Sequence, residues 1–167
     1  LIPLVGREEE LTEVMTRLRG PACRLLTLLG PGGIGKTHLA LEAAARLADR
    51  FSRGIHFVSL SPVQSPEGIA PAIAQGIGFS FYSQSSTGAP VAPKQQLLDY
   101  LRGKQMLLLL DGCEHLLSGM GLVAEMLETA PQVKVLATTR AKLNVQGEQL
   151  LPIAGLPSPS GRGVGGE

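Results

Sequence analysis

Gly30-Pro31-Gly32-Gly33-Ile34-Gly35-Lys36-Thr37 carries glycines, a lysine and a threonine at the spacing G-x-x-x-x-G-K-[ST]. The chemistry that spacing serves is a grip on a chain of phosphates. Glycines let the backbone curl so that successive N–H groups face one point, and the start of the following helix adds about half a positive charge there. Lys36 is placed to reach the β- and γ-phosphates, and the Thr37 hydroxyl is a hard oxygen donor suited to Mg2+. Gly30, Pro31, Gly32, Gly33, Ile34, Gly35, Lys36, Thr37 and His38 are therefore the candidate contacts to a nucleotide.

A second set lies downstream. Met106-Leu107-Leu108-Leu109-Leu110-Asp111 is an apolar run that ends in one acid, the form of a Walker B element. In open parallel sheets ligands bind beyond the carboxyl ends of the strands, so Asp111 is expected to face the same crevice as the phosphate loop and to hold Mg2+ with Thr37. Glu114, three residues on, is read either as a general base for water or as a first-turn acid that offsets a helix dipole. Thr138-Thr139-Arg140 closes a further apolar run, and Arg140 offers a cationic fork for a γ-phosphate, with the threonine pair expected to start a helix. His38, His56 and His115 are scattered and the two cysteines, Cys23 and Cys113, lack ligand spacing, so no His- or Cys-bound metal is expected.

Positioning these groups takes alternating strands and helices. Arg24–Leu29 is apolar enough for a buried parallel strand, and Lys36–Arg50 reads as the helix behind the loop. Arg7–Arg19 has Leu11, Val14, Met15 and Leu18 at helical spacing ahead of it. Ile55–Leu60 reads as a strand, and Pro66 opens a helix to about Ile77 that Pro71 should kink or shorten. Gly78–Pro93 reads as a long mobile connection in which Phe79, Phe81 and Tyr82 are potential anchors. Lys94–Arg102 is a short helix, Met106–Leu110 a strand, and Glu114–Thr129 a helix with Leu116, Leu117, Met120, Ala124 and Leu127 inward. Val133–Thr138 and Gln149–Ile153 complete the set. The pattern predicts an α/β fold, a three-layer α/β/α sandwich of the P-loop NTPase type around a mainly parallel five-stranded sheet.

The 167 residues fit one domain, placed over 1–157, with Ser158–Glu167 too rich in Pro, Ser and Gly to form a core and expected to be a disordered tail. A net charge of +1 offers no argument for a nucleic-acid or anionic-membrane surface, and no apolar run has the length of a membrane span. Two buried-type cysteines and no leader pattern point to a reducing, cytoplasmic setting. The start without Met and the Gly-rich end predict a piece of a longer reading frame, with the tail as out-of-frame read-through.

Taken together, Leu4-Val5-Gly6-Arg7-Glu8, GPGGIGKT, LLLLDGCEHL, VLATTR and Gly147-Glu148 resemble the nucleotide-binding domain of STAND-class ATPases, the AAA+-related branch that includes NB-ARC modules. Within it they are most similar to bacterial transcriptional regulators whose ATPase precedes tetratricopeptide-like repeats. The resemblance implies that Val5, Gly6 and Arg7 lie near the adenine or ribose, that Gly35, Lys36 and Thr37 meet the phosphates and Mg2+, that Asp111 holds Mg2+, and that Arg140 is the sensor. It also implies an additional strand inserted between the first and third motif strands. Gly112 stands where many relatives carry Asp or Asn, and His38 where a basic residue is frequent. The helical and winged-helix domains that close over the nucleotide in that family are not within these residues.

Three functions compete at this stage. One is an ATP/ADP-binding, slowly hydrolysing switch that works with further domains of a parent protein and is open to nucleotide-dependent oligomerisation. The others are a non-hydrolysing ADP-binding interaction domain and a P-loop kinase or motor.

Overall fold

The computed structural model describes residues 7–33, 35–83 and 87–154. The segments that carry Val5, Gly6 and Ile34, and the tail placed over 158–167, lie outside the described residues.

Chain order is α1 (Glu8–Arg19), β1 (Leu25–Leu29), α2 (Lys36–Arg46), β2 (Ile55–Ser59), α3 (Ile69–Ile77), α4 (Pro93–Leu101), β3 (Met106–Asp111), α5 (Gly121–Thr129), β4 (Val133–Thr139) and β5 (Glu148–Pro152). β1, β3 and β4 bury both faces, as strands covered by helices on each side must, while β2 and β5 at the two edges are only partly buried. The five strands form one sheet in the order β2-β3-β4-β1-β5. Every pairing in it is parallel, so the sheet is wholly rather than mainly parallel. β4 separates β1 from β3, which is the inserted-strand topology the resemblance implied.

Two apolar layers flank the sheet. On one side Leu11, Val14 and Leu18 of α1 and Leu39, Ala40 and Ala43 of α2 meet Leu26, Leu28, Leu107, Leu109 and Leu136. On the other, residues of α3, α4 and α5 cover Leu25, Leu108, Leu110 and Val135. Both free cysteines are buried. Among the described residues no helix is long and apolar enough to cross a membrane.

Several boundaries differ from the expectations, each for a physical reason. α2 stops at Arg46, and Ala48–Arg50 is a separate 3-10 turn that brings Phe51 into the core. Pro66–Gly68 is likewise a 3-10 turn, and α3 starts only at Ile69. That start places Pro71 in the first helical turn, where its missing N–H has no intrahelical acceptor to lose. The helix expected from Glu114 begins at Gly121, after a 3-10 turn at Leu117–Gly119. Gly119 lies so close to Ile69 and Pro66 that a side chain there would collide with both, and the chain bends where it makes that contact. Leu116, Met120, Val123 and Met126 are buried, while Leu117, Ala124 and Leu127 are only partly so. No helix follows Thr138-Thr139; β4 runs through Thr139 and Arg140 sits in a bend.

The segment from Gly78 is held at its beginning. Phe79 packs edge-on to Phe81 and lies 4.6 Å from the Tyr100 ring, and the buried Gln96 amide bonds both the N–H and the carbonyl of Tyr82.

Candidate functional site

The strand register sets the site. Leu29 pairs with Thr139 and Asp111 with Thr138, so β1, β3 and β4 end level with one another at the carboxyl edge of the sheet. Gly30 N–H continues the ladder by donating to Thr139 O at 3.2 Å, and the chain then leaves the sheet as the phosphate loop. Gly33 and Gly35 have φ of +80° and +90°, the left-handed region that side chains avoid, and Gly35 caps α2.

Lys36, the first residue of α2, is 8% exposed. Its Nζ donates to Gly30 O and Pro31 O, each at 2.7 Å. Burial pushes its pKa down; Glu114 and Asp111 oppose that shift, and Arg140 adds to it. Thr37 Oγ1 donates to Asp111 Oδ1 at 2.6 Å across the cleft. Thr138 Oγ1 donates to the same oxygen at 2.6 Å and accepts from Gly112 N–H at 3.3 Å. Asp111 is thus fixed through one oxygen by hydroxyls from α2 and β4.

Arg140 leans over the loop. A Cβ built on Gly32 would overlap the Arg140 guanidinium, so the arginine lies directly against the loop backbone here and would have to shift for any larger residue. Its backbone N–H donates to Glu114 Oε1 at 3.2 Å. Glu114 lies in the turn after β3 rather than in a helix, which removes the helix-dipole reading and leaves its carboxylate at the cleft wall beside Arg140.

These groups line one cleft of about 380 Å³. The structure brings together Gly32, Gly33, Gly35, Lys36, Thr37, Asp111, Glu114 and Arg140. Gly30 and Pro31 contribute carbonyls to Lys36 instead of walls. His38 follows on α2, and Arg7 is buried at the start of α1 with Nη1 bonded to Glu10; neither is among the described residues that line the cleft.

Sequence reasoning missed one lining residue, Ser61, and the bond from Thr138 to Asp111. Ser61, just past β2, approaches Gly112 so closely that its Oγ would be 2.6 Å from a Cβ placed there. Gly112 also has φ +81°, so glycine at this position answers both to backbone conformation and to Ser61. Thr138 was singled out with Arg140 but not as a partner of Asp111. The signal for both was strand order: β2 and β4 flank β3, so residues at their carboxyl ends must meet Asp111.

The donor set fits Mg2+. Thr37 offers a hydroxyl and Asp111 a carboxylate, hard oxygens held within hydrogen-bond distance of each other, and the loop's N–H groups and Lys36 supply the complementary charge for phosphates.

A family model described as AAA ATPase domain matches residues 3–142. A Mycobacterium tuberculosis protein named as an HTH-type transcriptional regulator is 36% identical over 130 residues, covering 75% of this chain and 13% of its own length. This chain thus spans about an eighth of that relative. Among solved structures, Cdc6p from Pyrobaculum aerophilum superposes over 100% of this chain and 45% of its own, with a TM-score of 0.66 and 20% identity. A Pyrococcus horikoshii signal transduction ATPase with numerous domains and a tetratricopeptide repeat sensor covers 94% of this chain and 24% of its own, at TM-score 0.56 and 19% identity. The two structural likenesses show a shared fold.

Proposed function

From the premise that the chain belongs to the AAA ATPase domain family, we propose that it binds Mg·ATP and ADP, hydrolyses ATP slowly, and serves as the nucleotide switch of a larger signalling or transcription-regulating protein. The observation that carries this reading is the convergence of Lys36, Thr37, Asp111 and Arg140, from three level strand ends, on one cleft beside positive-φ glycines. In the bound state the loop N–H groups and Lys36 take the β- and γ-phosphates, and Lys36 exchanges its loop carbonyls for phosphate oxygens. Thr37 and Asp111 would hold the magnesium ion, which supplies charge neutralisation across the phosphate oxygens. Arg140 faces the terminal phosphate, so the presence or loss of that group is felt by the segment behind β4. A switch needs ATP and ADP to favour different arrangements, and a group that senses only the γ-phosphate supplies that difference. Glu114, in the cleft lining, would orient the attacking water.

The relative named as a transcriptional regulator supports the larger context, since this chain aligns to only part of it. One observation favours a non-hydrolysing, ADP-holding domain instead: Glu114 spends an oxygen on Arg140 N–H, and position 112 brings no second carboxylate. Single-turnover assays with radiolabelled ATP separate the two. Phosphate release that needs Mg2+ and falls on Glu114→Gln supports the switch; bound ATP that stays intact supports the holding domain. Calorimetry showing no ATP or ADP binding sinks both.

A further inference from the structure

We propose that Glu148 is a positioning residue: it ties the segment behind Arg140 to the strand that carries the phosphate loop, and so fixes Arg140 against the terminal phosphate. The inference rests on the nucleotide-binding reading above.

Glu148 is the first residue of β5, and its carboxylate reaches two other parts of the chain. Oε2 accepts from Thr27 Oγ1 at 2.6 Å and from Leu143 N–H at 2.9 Å, and Oε1 accepts from Asn144 N–H at 3.0 Å. Thr27 is fully buried in the middle of β1, the polar member of a strand that is otherwise all leucine. A buried hydroxyl needs a partner, and here the partner is the carboxylate that also holds the returning segment. Asn144 has φ +60°, a conformation that costs energy in a non-glycine residue unless its surroundings fix it. Glu148 accepts its N–H and closes the turn by donating its own N–H to Val145 O at 3.0 Å.

Only Ala141 and Lys142 separate Arg140 from Leu143. Thr139 brackets them from the other side, its hydroxyl bonding both the N–H and the carbonyl of Ala141. The arginine is therefore held at the end of a short strap whose far point is anchored on β1, five residues before the loop glycine Gly32 that it overhangs. Without that anchor the strap past Ala141 is loose, and Arg140 is held only at its own N–H by Glu114 and through Thr139.

The test is calorimetric titration of the 167-residue chain with Mg·ADP and with a non-hydrolysable Mg·ATP analogue, which isolates the terminal phosphate without relying on turnover. The Arg140→Ala change should lower the analogue-to-ADP affinity ratio about tenfold, the size of one charge-assisted contact. Glu148→Ala should lower the same ratio comparably with ADP affinity within about twofold of the parent, and Thr27→Val should lower it about threefold. The Glu148→Ala/Arg140→Ala double variant should fall no further than Arg140→Ala alone, because the carboxylate acts through the arginine. A ratio unmoved by Glu148→Ala while Arg140→Ala lowers it, or effects that multiply in the double variant, overturns the inference and leaves the nucleotide reading intact. A ratio unmoved by Arg140→Ala overturns the inference and the sensing role of Arg140 but not nucleotide binding, which fails only if neither ligand binds the parent. Thermal melting identifies any variant that fails to fold, and Thr27→Val, which keeps the shape of the residue, then decides.

Discussion

Lys36 and Lys134 sit at opposite ends of the sheet and make the same local chemistry. Each donates its ammonium to two backbone carbonyls: Lys36 to Gly30 and Pro31, Lys134 to Leu18 and Gly20. Burial is the main cause that pushes both pKa values down. Their surroundings differ. The carbonyls under Lys134 end α1, and beside it Arg24 does the same for α5 by bonding Leu127 O and Ala130 O. Cations at helix carboxyl ends complete those helices, and the hollow they border is lined by Arg19, Arg24, Arg50 and Lys134, with no carboxylate or hydroxyl side chain among the described residues that line it. The carbonyls under Lys36 belong to a glycine loop at the edge of a cleft, with Asp111 and Glu114 raising its proton affinity from across that cleft. Two carbonyls under a lysine thus do not by themselves mark a ligand site; what sets Lys36 apart is the glycine loop, the hydroxyl of Thr37 and the carboxylates of Asp111 and Glu114 around one cleft.

That contrast can be broken by experiment. Lys36→Ala should weaken Mg·ATP binding by about ten- to a hundredfold, the loss of a charge-assisted contact of roughly 1.5–3 kcal/mol. An unchanged calorimetric titration would remove Lys36 from the site and the contrast with it. Asp111→Asn should abolish the gain in ATP affinity that millimolar Mg2+ gives the parent, about tenfold by the same measure, while circular dichroism stays the same. Equal Mg2+ response in the two proteins would deny Asp111 its role. Lys134→Met should do the reverse of Lys36→Ala: ATP affinity stays put, and stability falls by roughly 1–2 kcal/mol, a few degrees in Tm. Any loss of ATP affinity there would show that the two ends are not independent. The smallest effect is expected at Cys113, whose thiol is buried and pushed up to about 12 mainly by burial, then by Glu114, Asp111 and Glu148. It should resist iodoacetamide at pH 8 in the folded protein and react in urea; rapid native labelling would mean that the wall behind Asp111 opens.

Much of this was legible in the residues. The strand, loop and helix around Gly30–Thr37, the acid that ends β3 and the arginine after β4 all follow from local pattern, because each is contiguous in sequence. What local pattern could not reach was anything that depends on register. That Thr138 and Thr37 share one oxygen of Asp111 requires knowing that β4 lies between β1 and β3 and ends level with them. Thr27 looked like an ordinary strand residue, and its pairing with Glu148 spans 121 positions. Glu114 was misplaced for a different reason: Glu114–Thr129 has the apolar spacing of a helix, but Gly119 must bend to meet α3, and tertiary contact overrode the period.

Ser61 and Gly112 have a consequence for how such a module can be re-engineered. Because the serine oxygen fills the space where a side chain at 112 would begin, a larger residue at 112 is limited by what stands at 61. Writing an asparagine at 112, a residue that tolerates the left-handed backbone there, takes a paired edit with Ser61→Ala. Gly112→Asn on its own should melt earlier than the pair, and a library that varied only one of the two sites would discard the solution before it was sampled.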